Sequence, residues 1–364
     1  MRTITAAGVV AGLPKLPRAE GSGVESQNAT RIIVDGLDTS VLNEEFLHML
    51  QAAKVDCVHF SVSGLPSYGV RYEFFDKHPD EIGLVTTVSE IREAHEKGRI
   101  AVIFGSQESN WLEALMSKSA GGTTAPFSAL RAAYALGLRI LGICYQATNI
   151  FGGGALDPHV PLTRPGRMLV EKIHELGILL DVGGHTAERT SLDAIEMSKG
   201  VPVVCTHTNV AALNDNMRAV SDKLIEAIAK TGGVVGVTAI SDFQMRNADN
   251  ASSHGPVSPQ ATLDVHLDQY DYIRKLVGED HVGLGPDFVW GWGDTFVLNP
   301  ESSLTFPPEA LSVAPPVMTV KGFEDISKLP NLVKGLQERG WSEEQLDKLL
   351  GLNWLRVYEK VWGR

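Results

Sequence analysis

Eight short apolar runs, each leading into polar or glycine-rich residues and then into a stretch of helical spacing, pace this chain over about 260 residues. They cover residues 32–34, 55–62, 100–104, 139–143, 178–182, 201–209, 233–237 and 281–285. Helical spacing follows or intervenes at 43–50, 88–97, 127–136, 166–175, 192–198, 222–230 and 263–277, with Asn43 placed to cap the first of these. Continuous apolar runs separated by helices are what parallel strands covered on both faces require. Eight of them predict a (β/α)8 TIM-type barrel. An open doubly wound sheet is the competing fold, but no Gly-x-Gly-x-x-Gly follows the first run. Residues 1–30, punctuated by Gly, Ser and Pro, read as an N-terminal arm, and 31–364 as one barrel domain with a C-terminal helical segment that docks on the barrel's outside.

Charge and composition narrow the partners. A formal charge of -12 with no clustered Lys and Arg disfavours a nucleic-acid backbone, which leaves small molecules. No run reaches the ~18 to 20 apolar residues of a membrane span, so no membrane partner is expected. Cys57, Cys144 and Cys205 each fall within an apolar run and are expected to be buried and reduced. Arg2 and the brief apolar stretch from Ala6 to Leu13 make a poor secretory signal, so the expected location is cytoplasmic. A homo-oligomer is also expected, with the proline-rich stretch from Pro300 to Pro316 as a lid or a dimer contact. Trp290 and Trp292 follow Asp287 closely and could line the mouth of a site.

In such barrels the active groups come from the carboxyl ends of strands. His207 ends the run at 201–209, His185 follows Gly183-Gly184 after the run at 178–182, and Asp287 follows the last run. Two neutral imidazoles and a carboxylate on one face can hold a divalent metal ion, which lowers the pKa of water to about 7. The structural alternative is that both histidines hydrogen-bond within loops and Asp287 caps a turn.

Several blocks together resemble the membrane (renal) dipeptidase family: Asp181-Val-Gly-Gly-His-Thr-Ala-Glu-Arg-Thr190, Pro202-Val-Val-Cys-Thr-His-Thr-Asn209, Arg218 with Asp222, Thr231-Gly-Gly-Val-Val-Gly236, His281-Val-Gly-Leu-Gly-Pro-Asp287 and Gly351-Leu-Asn-Trp-Leu-Arg-Val357. The resemblance implies a zinc-dependent hydrolase on an amidohydrolase-type barrel. It implies His185 and His207 as metal ligands, the former after a one-residue shift around Gly183. Asp287 becomes a ligand that also handles a proton, and Arg218 the group that holds a substrate carboxylate.

The departures from that pattern are as informative. Family members open with Asp-Gly-His-x-Asp, where this chain has Asp35-Gly36-Leu37-Asp38-Thr39, and leucine binds no metal. The family's bridging glutamate is Gln107 here, a poorer ligand, and a substrate-contacting histidine is Tyr145. With two anionic ligands fewer, one ion is expected, zinc first, with manganese or iron as alternatives. His59, facing inward with Cys57 and Ser61, is a candidate substrate contact together with Gln107, and Tyr145 a candidate donor to a developing oxyanion. The expected reaction is hydrolysis of an amide bond in a small carboxylate-bearing compound. A deaminase, decarboxylase or lyase on the same fold, or a metal-free ligand-binding or assembly subunit, are the other classes left open.

Overall fold

Alternation along each strand divides the apolar residues into two sets, one facing the helices and one facing the barrel axis. The computed structural model describes residues 31–116, 125–245, 259–291 and 319–363. From Ile32 onward they form one compact unit. The strands are β1 (Val34–Asp38), β2 (Cys57–Ser61), β3 (Ile82–Leu84), β4 (Ile100–Ser106), β5 (Leu138–Gly142), β6 (Leu179–Asp181), β7 (Val204–Thr208), β8 (Val234–Val237) and β9 (Val282–Leu284). All pairings are parallel, in the order β1-β2-β4-β5-β6-β7-β8-β9, with β3 a short extra strand beside the start of β4. The eight staves fall where the eight runs predicted them, except that the first lies later and shares only Val34 with the run at 32–34, and the fold is a (β/α)8 barrel.

The helices between staves are α1 (Glu44–Ala52), α2 (Gly64–Lys77), α3 (Val88–Glu96), α4 (Asn110–Met116), α5 (Ala125–Ala135), α6 (Arg164–Leu176), α7 (Glu188–Met197), α8 (Asp222–Lys230) and α9 (Leu263–Val277). Their starts obey local chemistry: Asn43 Oδ1 accepts from Phe46 N at 2.9 Å, and Thr87 with Glu90 forms a reciprocal capping box. Neither α2 nor β3 was expected from the sequence. The outer set of strand residues, including Val58, Phe60, Phe104, Leu141, Leu180 and Val237, packs with the helices in one large core. Cys57, Cys144 and Cys205 are free and buried.

The chain ends in α10 (Leu329–Glu338), α11 (Glu343–Asp347), a π-helical turn (Lys348–Leu352) and α12 (Asn353–Trp362). Here the structure corrects the expectation of a helix on the barrel's outer wall. Trp354, fully buried, belongs to the inner cluster with Val34, Cys57, Ala101, Ile103, Ile140, Leu179, Val204 and Val234. It closes the amino-terminal end of the barrel where β1 and β9, the two ends of the hydrogen-bonded path, are not paired with each other. The indole Nε1 donates to Leu284 O at 3.0 Å, and Asn353 Nδ2 donates to Val282 O at 2.9 Å. Gly36 and Gly283 leave the room: a Cβ on either would lie 2.4 or 2.7 Å from the indole.

At the other end the same seam is closed by backbone. Asp287 N donates to Leu37 O at 3.0 Å, Thr39 N to Phe288 O at 2.9 Å and Val41 N to Trp290 O at 2.9 Å. The chain after β9 thus continues along β1 and fixes Asp287 at the barrel mouth. Among the described residues no helix is long and apolar enough to cross a membrane. The proposed arm at 1–30, Trp292 and the stretch from Pro300 to Pro316 lie outside the described residues.

Candidate active site

Most strands that run out at the mouth deliver polar groups into a buried interior. His207 sits in β7 at 3% exposure. His185, held by a loop in which Gly183 and Gly184 both have positive φ, lies with its ring 5.0 Å from that of His207. Asp287 Oδ2 is 4.0 Å from His207 Nε2, too far for a hydrogen bond. Asp287 has φ +60°, a left-handed conformation uncommon for residues other than Gly, Asn and Asp, and its amide is tied to Leu37 O by the seam bond. Leu37, where the resemblance calls for a metal-binding histidine, is buried and its side chain carries no donor atom.

Gln107, just past β4, does face the site. His185 Nε2 and Gln107 Oε1 are 2.8 Å apart, and the Tyr145 ring stacks on His185 with centroids 4.0 Å apart. His59 in β2 is fully buried; its Nδ1 bonds Gly36 O at 2.6 Å, and its Nε2 has no partner among the described residues. A Cβ at Gly105 would lie 1.9 Å from that nitrogen, so the glycine makes room for the ring.

Arg218 reaches the site from the segment after β7. It is 1% exposed, its guanidinium lies over the Phe243 ring at 5.2 Å, and none of Nε, Nη1 or Nη2 has a hydrogen-bond partner among the described residues. Burial pulls its pKa down while Asp287 and Tyr145 hold it up. An unsolvated guanidinium is expensive to keep without an anion.

The field of this cation runs through the site. Burial first, and Arg218 second, push both His185 and His207 well below the ordinary imidazole value. Burial pushes Asp287 up to about 7, with Arg218 opposing. Tyr145 is raised to about 12, by burial and then by Asp287, and so keeps its proton. His59 falls to about 4 by burial, against its bond to Gly36.

Two carboxylates of β1 were not assigned a role from the sequence. Asp35 and Asp38 are fully buried, each with one oxygen accepting a nearby amide and Oδ2 without a partner among the described residues. Burial pushes Asp38 up to about 7, and burial with repulsion from Asp38 takes Asp35 well above the carboxylate range. A bulge between Asp35 and Asp38 shifts the register against β2. The available signal was the occurrence of two acids in an otherwise apolar strand end.

The donor set suits a metal ion in part. His207 Nε2 is a buried nitrogen without a partner among the described residues, and its 4.0 Å spacing from Asp287 Oδ2 lies within what two ligands bound at ~2.0 to 2.2 Å can span. His185 Nε2 is instead engaged by Gln107. Among the described residues no three His, Cys, Asp or Glu side chains are grouped as they stand to hold an ion. The structure therefore brings His185, His207, Asp287, Gln107 and Tyr145 to one mouth without arranging the expected three ligands around a common point.

Comparison with known proteins agrees with the architecture. A family model described as membrane dipeptidase (Peptidase family M19) matches residues 61–298 and 315–362. The dipeptidase ataJ of Aspergillus terreus is 28% identical over 82% of this chain, which spans 66% of that relative's length. An uncharacterised protein in the pqqA 5' region of Klebsiella pneumoniae is 32% identical over 67% of this chain and 80% of its own. Among solved structures, an amidohydrolase from Pseudomonas aeruginosa superposes with a TM-score of 0.78 at 25% identity, covering 93% of this chain and 99% of that one.

Proposed function

The chain belongs to the membrane dipeptidase family, a family of hydrolases, and from that premise we propose that it cleaves an amide bond in a small compound bearing a free carboxylate, with one divalent metal ion, zinc in first place. The observation that carries this reading is the bare guanidinium of Arg218, buried beside Asp287, His207 and Tyr145. A carboxylate is the anion whose two oxygens match the guanidinium fork.

His185, His207 and Asp287 are the side chains that would hold the ion. When bound there, a divalent cation supplies water of lowered pKa and polarises a carbonyl. Arg218 binds the substrate's carboxylate and so sets which bond lies against Asp287. Asp287 is the carboxylate placed to take a proton from water and return it to the leaving nitrogen. Tyr145, still protonated, can donate a hydrogen bond to the oxygen on which charge develops. His59 and Gln107 are the proposed substrate contacts, and Gln107, 2.8 Å from His185 Nε2, holds the ring of His185 in place.

The test is kinetic. Arg218→Met is expected to raise KM for carboxylate-bearing amides more than tenfold, with a smaller effect on kcat. Equal turnover by the wild-type protein of the same amides with the carboxylate blocked would remove Arg218 from this role.

A further inference from the structure

His207 stands at the end of a chain of hydrogen bonds that begins on a different strand. Asp181, the last residue of β6, accepts from the amide of Thr206 at 3.0 Å through Oδ1 and from the Thr206 hydroxyl at 2.6 Å through Oδ2. That hydroxyl oxygen is 2.8 Å from His207 Nδ1. All three residues are buried.

Proton counting fixes the direction of every bond. An ionised carboxylate only accepts, and a threonine hydroxyl has one proton to give. The proton of Thr206 goes to Asp181, so its oxygen can meet His207 only as an acceptor. The imidazole must then carry its hydrogen on Nδ1, leaving Nε2 as a lone pair. That nitrogen is the one lacking a partner among the described residues and lying 4.0 Å from Asp287 Oδ2.

We infer that Asp181, acting through Thr206, is a positioning residue that locks His207 in the Nδ1-protonated tautomer and thereby presents Nε2 to the site as a donor for a metal ion. The tautomer stands independently of the proposed reaction, while its use in holding a metal rests on that reading. Outer partners of a liganding imidazole act in this way, setting ring orientation and basicity. The intervening hydroxyl has a specific consequence. In Asp181→Asn the amide oxygen must keep accepting from the Thr206 amide, so the new NH2 faces the hydroxyl and donates to it. Thr206 is then driven to donate to Nδ1, and the imidazole proton moves to Nε2. A nearly isosteric change inverts the tautomer and aims a hydrogen at the site.

The experiment is two-dimensional NMR of the full chain with 15N-labelled histidine, treated with chelator, at pH 8, with the His207 signals assigned by their loss in His207→Gln. At that pH Asp181, pushed up only to about 6 by burial, is ionised. The wild type is expected to show the proton on Nδ1, Asp181→Asn to show it on Nε2, and Thr206→Ser to keep the wild-type pattern. Zinc titration of the same proteins is expected to show affinity roughly 10- to 100-fold weaker in Asp181→Asn and near wild type in Thr206→Ser. A wild-type proton on Nε2, or an unchanged tautomer in Asp181→Asn, overturns the inference. Should Asp181→Asn fail to fold, the wild-type tautomer and the comparison of Thr206→Ser with Thr206→Val decide it. If the tautomers behave as stated and the wild type binds no zinc, the relay stands and the metal-dependent reading falls.

Discussion

The two ends of this barrel are made by the same strands and follow opposite rules. At the amino-terminal end Trp354, Val34, Cys57, Ile103 and Val204 fill the interior, and the seam carbonyl of Leu284 receives the indole N–H. Towards the carboxyl end, on the strands and in the segments that follow them, Asp38, His59, His185, His207 and Arg218 keep buried polar atoms without partners among the described residues. The first arrangement lowers the free energy of the fold, and the second raises it. Buried polar groups left unmatched are costly, so the mouth is where the fold gives up stability for binding, and the plug is among the features that allow it to.

Replacing the plug should have the largest effect. Trp354→Ala is expected to cost ~3 to 5 kcal/mol, since an indole is removed between strands that cannot collapse onto it. Chemical unfolding measures this, and a loss below about 1 kcal/mol would show that the closed end does not bear the weight assigned to it. The opposite sign is expected at the mouth. Arg218→Met should stabilise the ligand-free protein by on the order of 1 to 4 kcal/mol, because an unpaired buried cation is replaced by an apolar chain of similar length. A destabilised Arg218→Met would mean that the guanidinium is satisfied in solution.

The acidic side of the mouth gives a smaller, pH-dependent effect. Asp38 has a folded-state pKa of about 7, raised by burial above its ordinary value of 3.8. A raised pKa means that the folded state holds its proton more tightly than the unfolded one. The contribution of this group is therefore fully favourable below about pH 4 and is lost as pH rises towards 7. Asp38→Asn, which keeps an acceptor for Ser40 N, should match the wild type near pH 4 and exceed it in Tm at pH 8 in the absence of metal. A gain that is constant with pH would show that Asp38 does not titrate in this range.

The staves were legible because burial on both faces imposes apolar runs, and runs as short as 100–104 or 139–143, set between helical stretches, fit a buried strand better than any other element. The positions of His185, His207 and Asp287 followed from the same logic, since a strand that ends in polar residues opens on a surface. What escaped depends on tertiary contacts or on weak local signals. The helix α2 opens with Gly64-Leu65-Pro66 and exposes Leu65 and Val70, so its apolar residues mark no single face. The three residues of β3 are too few to show a period. Amphipathic spacing placed a helix at α12 and could not say that Trp354 enters the barrel. Motif alignment drew attention to Leu37 and away from Asp38, which a bulge carries to a different register. The pairing of His185 with Gln107 joins residues 78 apart in the chain and has no local signature.

The central claim is that this mouth, with its incomplete family ligand set, still takes up a cation and uses it on a carboxylate-bearing amide. The most direct measurement is hydrolysis of a panel of dipeptides by chelator-stripped protein as zinc is added back stepwise. The account predicts no turnover without metal and full turnover at about one equivalent per chain, the number expected when Thr39 and Gln107 stand in place of two anionic ligands. No hydrolysis at any zinc, manganese or iron loading, or full activity in the stripped protein, would contradict it.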